Sequence, residues 1–352
     1  MTEKSRGQYY SSWTDLDLDA DGKHAGSIYV SLSTNTSAYR AFRVPLIVIR
    51  NGRGPACLVM GGNHGDEWEG QLVAAQLARE ITPADISGTL FIMPHANLPA
   101  CEAGTRLSPL DSGNLNLTWP APTGSGPTGQ IADFVETKLL TRISHWIDVH
   151  TGGRTLIYAP KAAIHVSNDP SLNRRAFDAL AAFGAPENLV FEVQEARSAS
   201  VAAQRNGVVY VYGEFGGGSL ISAEGVDIAA SGIRRLLSHV GLLSGRATPK
   251  AVSQRHYTMT GQTYEETRRL YWFAAAGGYF EPRAKLAEEI QPGQVVGFVH
   301  PLDGSLSPPT EVVARAGGTV VCLRGQPLVQ NGDCLGHLGV LTPEETLRQT
   351  WC

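Results

Sequence analysis

The sequence predicts an α/β fold, with a largely parallel, mixed sheet flanked by helices and a small β-rich domain after it. Three observations predict it. Apolar runs rich in Val, Ile and Leu, closed by glycine or proline and separated by helix-like segments, recur through the first two thirds of the chain. After about Thr248 the texture changes to short alternating runs between turn signals. Polar residues stand where several of the apolar runs end, the place where open α/β sheets keep their sites. The chain divides accordingly into an N-terminal extension, residues 1–40, a main domain, 41–247, and a β-rich C-terminal domain, 248–352.

In chain order, Phe42 to Ile49 reads as a strand turned by Asn51-Gly52, and Ala56 to Met60 as a second strand. Trp68 to Ile81 has the 3.6-residue periodicity of an amphipathic helix, stopped by Pro83. Leu90 to Met93, Trp146 to Val149 and Val208 to Tyr212 continue the strands, while Gly129 to Leu140, Leu172 to Phe183 and Ile228 to Leu243 read as helices. Between them, Leu107 to Gly129 is dense in Pro, Gly, Ser, Thr and Asn, the composition of a long binding loop. The C-terminal runs are Gln294 to Val299, Ala314 to Leu323 and Leu335 to Leu341, set off by Gln291-Pro292-Gly293 and Asn331-Gly332-Asp333.

Composition narrows the function. Of 352 residues 42% are hydrophobic and 18% charged, and the formal net charge of −4 leaves no basic field for a phosphate backbone and no polybasic cluster for an anionic membrane. A small molecule is the expected partner. No run approaches the roughly 18 apolar residues of a membrane-spanning helix, and Met1 to Trp13 is polar, so a cytoplasmic protein is expected. The five cysteines are scattered without a Cys-x-x-Cys pair and read as reduced thiols.

The chemistry concentrates at the strand ends. Met60-Gly-Gly-Asn-His64-Gly-Asp-Glu67 joins a strand to a helix, and a turn with this spacing can bring an imidazole and a carboxylate to one point, both good zinc ligands. The bland reading, a glycine turn with a capping carboxylate, competes with it. Asp148-Val-His150 ends another strand and offers a third ligand; Tyr212-Gly-Glu214 ends a further one with a carboxylate of the kind that serves beside a metal-bound water as general base. Met93-Pro-His95 leads to Arg106, a candidate for polarising a carbonyl. For Asp148 a supporting hydrogen bond is the stronger reading; for Glu69, an exposed place in the first helical turn; for Cys101, a packed thiol. Gly124-Ser-Gly126-Pro-Thr-Gly129 matches a dinucleotide fingerprint by letters only, and no Gly-x-Ser-x-Gly elbow occurs.

The order His64-x-x-Glu67, then Arg106 and Asn114-Leu115-Asn116, then Asp148-Val149-His150, then Glu214-Phe215-Gly216 resembles the succinylglutamate desuccinylase/aspartoacylase family, relatives of the zinc carboxypeptidases. The resemblance covers roughly Phe42 to Gly218. Gly61 to Gly70 and Asp15 to Lys23 are similar to the branch that hydrolyses N-acetyl-2,4-diaminobutyrate. The resemblance implies a zinc-carboxypeptidase-like catalytic domain and one Zn2+ per chain held by His64, Glu67 and His150. It further implies Glu214 as general base, Arg106 on the scissile carbonyl, and Asn114 and Asn116 at the substrate. Where the family motif has an arginine that grips a substrate carboxylate, this chain has Leu117, so either another arginine, such as Arg154 or Arg197, holds an acid or the substrate is less acidic than the family norm. The implied function is a zinc-dependent hydrolase that removes a small acyl group from an N-acyl amino acid. A metallocarboxypeptidase and a non-catalytic binding module are the alternatives. The C-terminal domain would narrow access to the site or build subunit contacts, the latter giving a homo-oligomer.

Overall fold

A computed structural model describes residues 12–121, 125–192, 196–245, 253–259, 264–304 and 306–352. Its central feature is one mixed sheet whose middle strands run in the order Ser37–Asn51, Gly88–Met93, Ala56–Gly61, His145–His150, Val209–Glu214, Lys161–His165, Glu187–Phe191 and Arg255–Met259. Ala56–Gly61 pairs in parallel with both Gly88–Met93 and His145–His150, and His145–His150 in parallel with Val209–Glu214. Four parallel strands therefore end side by side. The register aligns Glu214 with His150 and Gly61 with Val149, so the residues after the apolar runs share one edge.

These strands are buried on both faces, which is why they read as continuous apolar runs rather than alternating ones. One face packs on the helices Trp68–Glu80, Pro170–Phe183 and Ala223–His239, through Val73, Leu77, Phe177, Leu180, Ile233 and Leu236. The other packs on Pro127–Phe134 and Ala199–Arg205, where Trp146 meets Trp119 edge-on at 5.4 Å and Tyr210 at 5.0 Å between ring centroids.

Several boundaries differ from the sequence reading. The last large helix begins at Ala223 rather than Ile228, because Ser222 caps it by accepting from the Gly225 N–H, and it ends at His239, shortly before Gly241 takes a left-handed φ of 77°. The expected Gly129 to Leu140 helix is α-helical over Pro127–Phe134 and continues as a π-helical turn over Val135–Leu140. Of the run Ala314 to Leu323 only Gly318 onward is strand, within Gly318–Arg324; residues 314–317 are the turn that leads there from Thr310–Val313, a strand of a different sheet. The binding loop carries a short 3-10 turn, Leu115–Leu117. The Gly124 to Gly129 match falls partly outside the described residues, and its described part starts a helix with Pro127 rather than following a strand.

Residues 22–34 pair along most of their length with 37–51 at one edge of the sheet. At the other, Arg255–Met259 pairs with Glu187–Phe191, and Cys334–Leu341 and Gly318–Arg324 prolong the same sheet. The expected boundary at 247/248 lies outside the described residues. A separate antiparallel sheet, Thr310–Val313, Val295–His300, Gly278–Pro282 and Leu328–Val329, completes the C-terminal region. Among the described residues no helix is long and apolar enough to cross a membrane.

Because Trp146 is fully enclosed between Trp119 and Tyr210, Trp146→Ala is expected to lower unfolding free energy by about 3–5 kcal/mol. A denaturant titration would show this as a lower midpoint with an unchanged slope.

Candidate active site

Local backbone chemistry places the first two site residues. After the Ala56–Gly61 strand, Gly61 and Gly62 accept from the N–H groups of Ala96 and Asn97, which ties the turn to the neighbouring strand end. Gly62 has φ 70°, and a Cβ there would meet Cys101 Sγ at 2.7 Å. Glu67 occupies the N-cap position of the Trp68–Glu80 helix without capping it by its side chain. Its carboxylate turns back toward the strand ends.

There it lies between two imidazoles. Glu67 Oε1 is 2.7 Å from His64 Nδ1, and Oε2 is 2.8 Å from His150 Nδ1 and accepts from the Thr151 N–H at 3.2 Å. The ligand atoms of the three residues all lie within 4.8 Å of one another, and all three side chains are buried. Burial pushes the Glu67 carboxyl up, but His64 and His150 together hold it well below the usual carboxylate range. Burial likewise opposes a charge on His150, and Asp148 and Glu67 on either side of the ring raise its pKa well above the ordinary imidazole value. Two imidazole nitrogens and a carboxylate form a donor set suited to a divalent metal.

Each outer nitrogen faces an acceptor of the kind that supports metal-ligating histidines, the His64 one in a hydrogen bond and the His150 one in an ion-pair contact. His64 Nε2 is 3.1 Å from Asn114 Oδ1, and His150 Nε2 is 3.1 Å from Asp148 Oδ2. That same Asp148 oxygen accepts from Asn63 Nδ2 at 2.8 Å and from the Tyr210 hydroxyl at 2.9 Å. Asp148 thus backs His150 as a buried counter-charge.

The triad opens into a cavity of ≈ 340 Å³. Glu214 lines it, and its buried Oε2 has no hydrogen-bond partner among the described residues. Burial, then the charge of Glu67, push the Glu214 carboxyl up to about 8. Arg106 also lines the cavity, with its side chain 54% exposed and one guanidinium nitrogen 3.4 Å from both Glu67 Oε1 and His64 Nδ1. It therefore sits at the mouth. Asn116 faces the cavity, whereas Asn114 is turned to His64. Arg154 and Arg197 are both exposed and outside the cavity lining; the Arg154 N–H donates to Asp66 Oδ2, and the Arg197 carbonyl accepts from the Trp119 N–H.

Two expectations about neighbours change or sharpen. Glu69 is not exposed: it is fully buried, and its Oε1 accepts from the Ser222 N–H at 2.9 Å, because the loop after Glu214 folds over the first turn of the helix. Burial pushes the Cys101 thiol up to about 12, and Sγ lies 3.5 Å from the Gly62 carbonyl. The cavity also holds residues the sequence reading passed over, among them Tyr158, His165, Tyr210 and Tyr212. A signal existed for two of them, since residues 210, 212 and 214 on one strand share a face.

The model of the succinylglutamate desuccinylase/aspartoacylase catalytic domain matches residues 53–240. The chain is 34% identical over 321 residues to the N-alpha-acetyl-L-2,4-diaminobutyric acid deacetylase of Halomonas elongata, covering 91% of this chain and 92% of that protein. The product-bound ectoine utilization protein EutE of Ruegeria pomeroyi superposes with a TM-score of 0.89 at 35% identity, over 95% of this chain and 100% of the other. A succinylglutamate desuccinylase structure from Silicibacter sp. TM1040 gives 0.87 at 33% identity, over 94% and 98%.

Replacing a ligand and replacing its support should differ. His64→Ala and His150→Ala are expected to abolish tight divalent-metal binding, and Asp148→Asn to weaken it about 10–100-fold, measured by titration against a competing chelator. Unchanged affinity in His64→Ala would remove the triad as the metal site.

Proposed function

Because the chain belongs to the succinylglutamate desuccinylase/aspartoacylase family, we propose that it is a zinc-dependent deacylase that removes an acetyl group from an N-acyl amino acid of the 2,4-diaminobutyrate type. The amide-hydrolysing character comes from the family; the metal and the substrate are the proposal. One observation carries it: a buried His-Glu-His set opens onto the same cavity as an unpartnered carboxylate, Glu214, and an arginine, Arg106.

His64, Glu67 and His150 would hold the zinc, and the set fits that ion in donor type, burial and closeness. Bound zinc supplies an acidified water and polarises a carbonyl oxygen. Everything else falls to the chain. Glu214, whose carboxyl burial shifts upward from the ordinary carboxylate range, is placed for proton transfer at the cavity. It takes the proton of the attacking water and passes it to the nitrogen as the C–N bond breaks. Arg106 donates to the carbonyl oxygen as that oxygen gains charge. Its guanidinium is already drawn inward by Glu67. Asn116 faces the bound substrate from the loop.

Amine release from N-α-acetyl-L-2,4-diaminobutyrate, measured beside N-acetylaspartate, N-succinylglutamate and a C-terminal peptide, tests the reading. Turnover of the first is expected, and inertness toward every N-acyl amino acid in the presence of zinc would overturn it. Glu214→Gln should retain zinc and lose about 10²–10⁴ in kcat; near wild-type turnover would take Glu214 out of the mechanism. Arg106→Ala should cost about 10²–10³ in kcat/KM, and an unchanged value would deny it the carbonyl.

A further inference from the structure

The cavity is chemically asymmetric. At its mouth stands Arg106, and at the strand ends lie the triad and Glu214. The remaining wall includes His165, Tyr210, Tyr212, Ser198 and Ser200, none of them charged. This is the inner end, since His165, Ser200 and Tyr210 also border a narrow hollow closed by Leu172, Ala176 and Val209. Burial alone pushes the His165 imidazole down to about 3, so the ring is neutral and one of its nitrogens is an acceptor. Its Nδ1 is buried without a hydrogen-bond partner among the described residues. The ring packs against Tyr212 at 5.2 Å and Phe191 at 5.0 Å, which are themselves 6.1 Å apart, so the three rings form one cluster that holds its orientation.

The hydroxyls beside it lean the same way. The Tyr210 hydroxyl donates its hydrogen bond to Asp148 Oδ2, which leaves lone pairs on the phenol oxygen. The Ser198 and Ser200 oxygens lie 2.8 Å apart, so one proton is spent between them. With Glu214 Oε2 unpartnered nearby among the described residues, this wall offers acceptors and aromatic faces and, among the described residues, no cation. A carboxylate placed here would meet no opposite charge; a group rich in N–H donors would meet several acceptors and a π face.

We propose that the end of the cavity bounded by His165, Tyr210 and Tyr212 is a subsite for a free, protonated amine on the N-acyl amino acid, with His165 as its specificity-determining acceptor. The inference rests on the deacylase reading above and deepens it. Spacing agrees: Tyr212, on which His165 stacks, is two residues from Glu214 along one strand, roughly 6–7 Å. The amide nitrogen and the side-chain nitrogen of an extended 2,4-diamino acid are separated by about 5 Å. The subsite also gives the substrate a polar anchor that needs no arginine at Leu117.

The test compares N-α-acetyl-L-2,4-diaminobutyrate with N-acetyl-L-2-aminobutyrate, which lacks the amine, using the zinc-loaded full chain near pH 7. Wild type is expected to favour the diamino substrate by about 10–100-fold in kcat/KM. His165→Phe, which keeps the stacked ring and removes both nitrogens, is expected to shrink that ratio at least 10-fold, mainly through KM. Equal kcat/KM for the two substrates in wild type, or the same fractional loss on both in the variant, overturns the subsite and leaves the deacylase reading standing. Inertness toward all N-acyl amino acids overturns both. Should His165→Phe not fold, inhibition of wild type decides. L-2,4-Diaminobutyrate is expected to bind at least 10-fold more tightly than L-2-aminobutyrate, and equal inhibition overturns the proposal.

Discussion

The placement of the Glu67 carboxylate between two imidazoles is the constraint on which the rest of the site depends. A charged carboxylate this deeply buried is stabilised by partners on both oxygens, and those partners come from the ends of two different strands. The strands must therefore be neighbours, parallel and in a fixed register. The helix that begins beside Glu67 must also press close onto them. Gly70 lets it: a Cβ there would lie 2.3 Å from the Val149 carbonyl oxygen, and one on Gly61 would lie 2.2 Å from the Gly70 carbonyl oxygen. The glycines around the motif are close-approach positions that allow one carboxylate to reach both rings.

A second hub backs the first. Asp148 gathers Asn63, Tyr210 and His150 around one oxygen, and through Tyr210 it also sets the hydrogen-bonding character of the cavity's inner wall. One buried aspartate thus acts in two directions. It lies against a ligand on one side, and on the other it accepts the hydrogen bond of a phenol that would otherwise be free to donate into the cavity. Charge in the cavity runs from an exposed arginine at the mouth, through the acidic and imidazole groups at the strand ends, to a neutral interior.

Much of this was legible in the sequence wherever the signal was local. An apolar run ending in glycine and a polar residue locates a strand end, and that logic finds His64, His150 and Glu214 without any knowledge of pairing. Non-local signals were not legible. The burial of Glu69 comes from a loop more than 150 residues away folding over a helix turn that periodicity alone reads as open. His165 ends a strand, Lys161–His165, that opens with a buried lysine, so its composition does not announce a strand. The lysine is paired with Glu187 of the next strand at 2.9 Å, a partner no window around residue 161 contains. Likewise nothing in the C-terminal runs says that they would join the main sheet.

That shared sheet gives the C-terminal region a role apart from recognition or access. Arg255–Met259 covers the outer side of Glu187–Phe191, and Leu156–Tyr158 is paired with Gly318–Arg324. Tyr158, in the cavity wall, has its hydroxyl 2.9 Å from His337 Nε2. A chain cut near residue 245 would leave an uncovered row of strand N–H and C=O groups on the Glu187–Phe191 edge, an invitation to edge-to-edge aggregation. The two regions are stitched by backbone pairing rather than resting against each other. The catalytic half is not a minimal enzyme with an optional appendage; without the C-terminal strands its outermost edge would be raw.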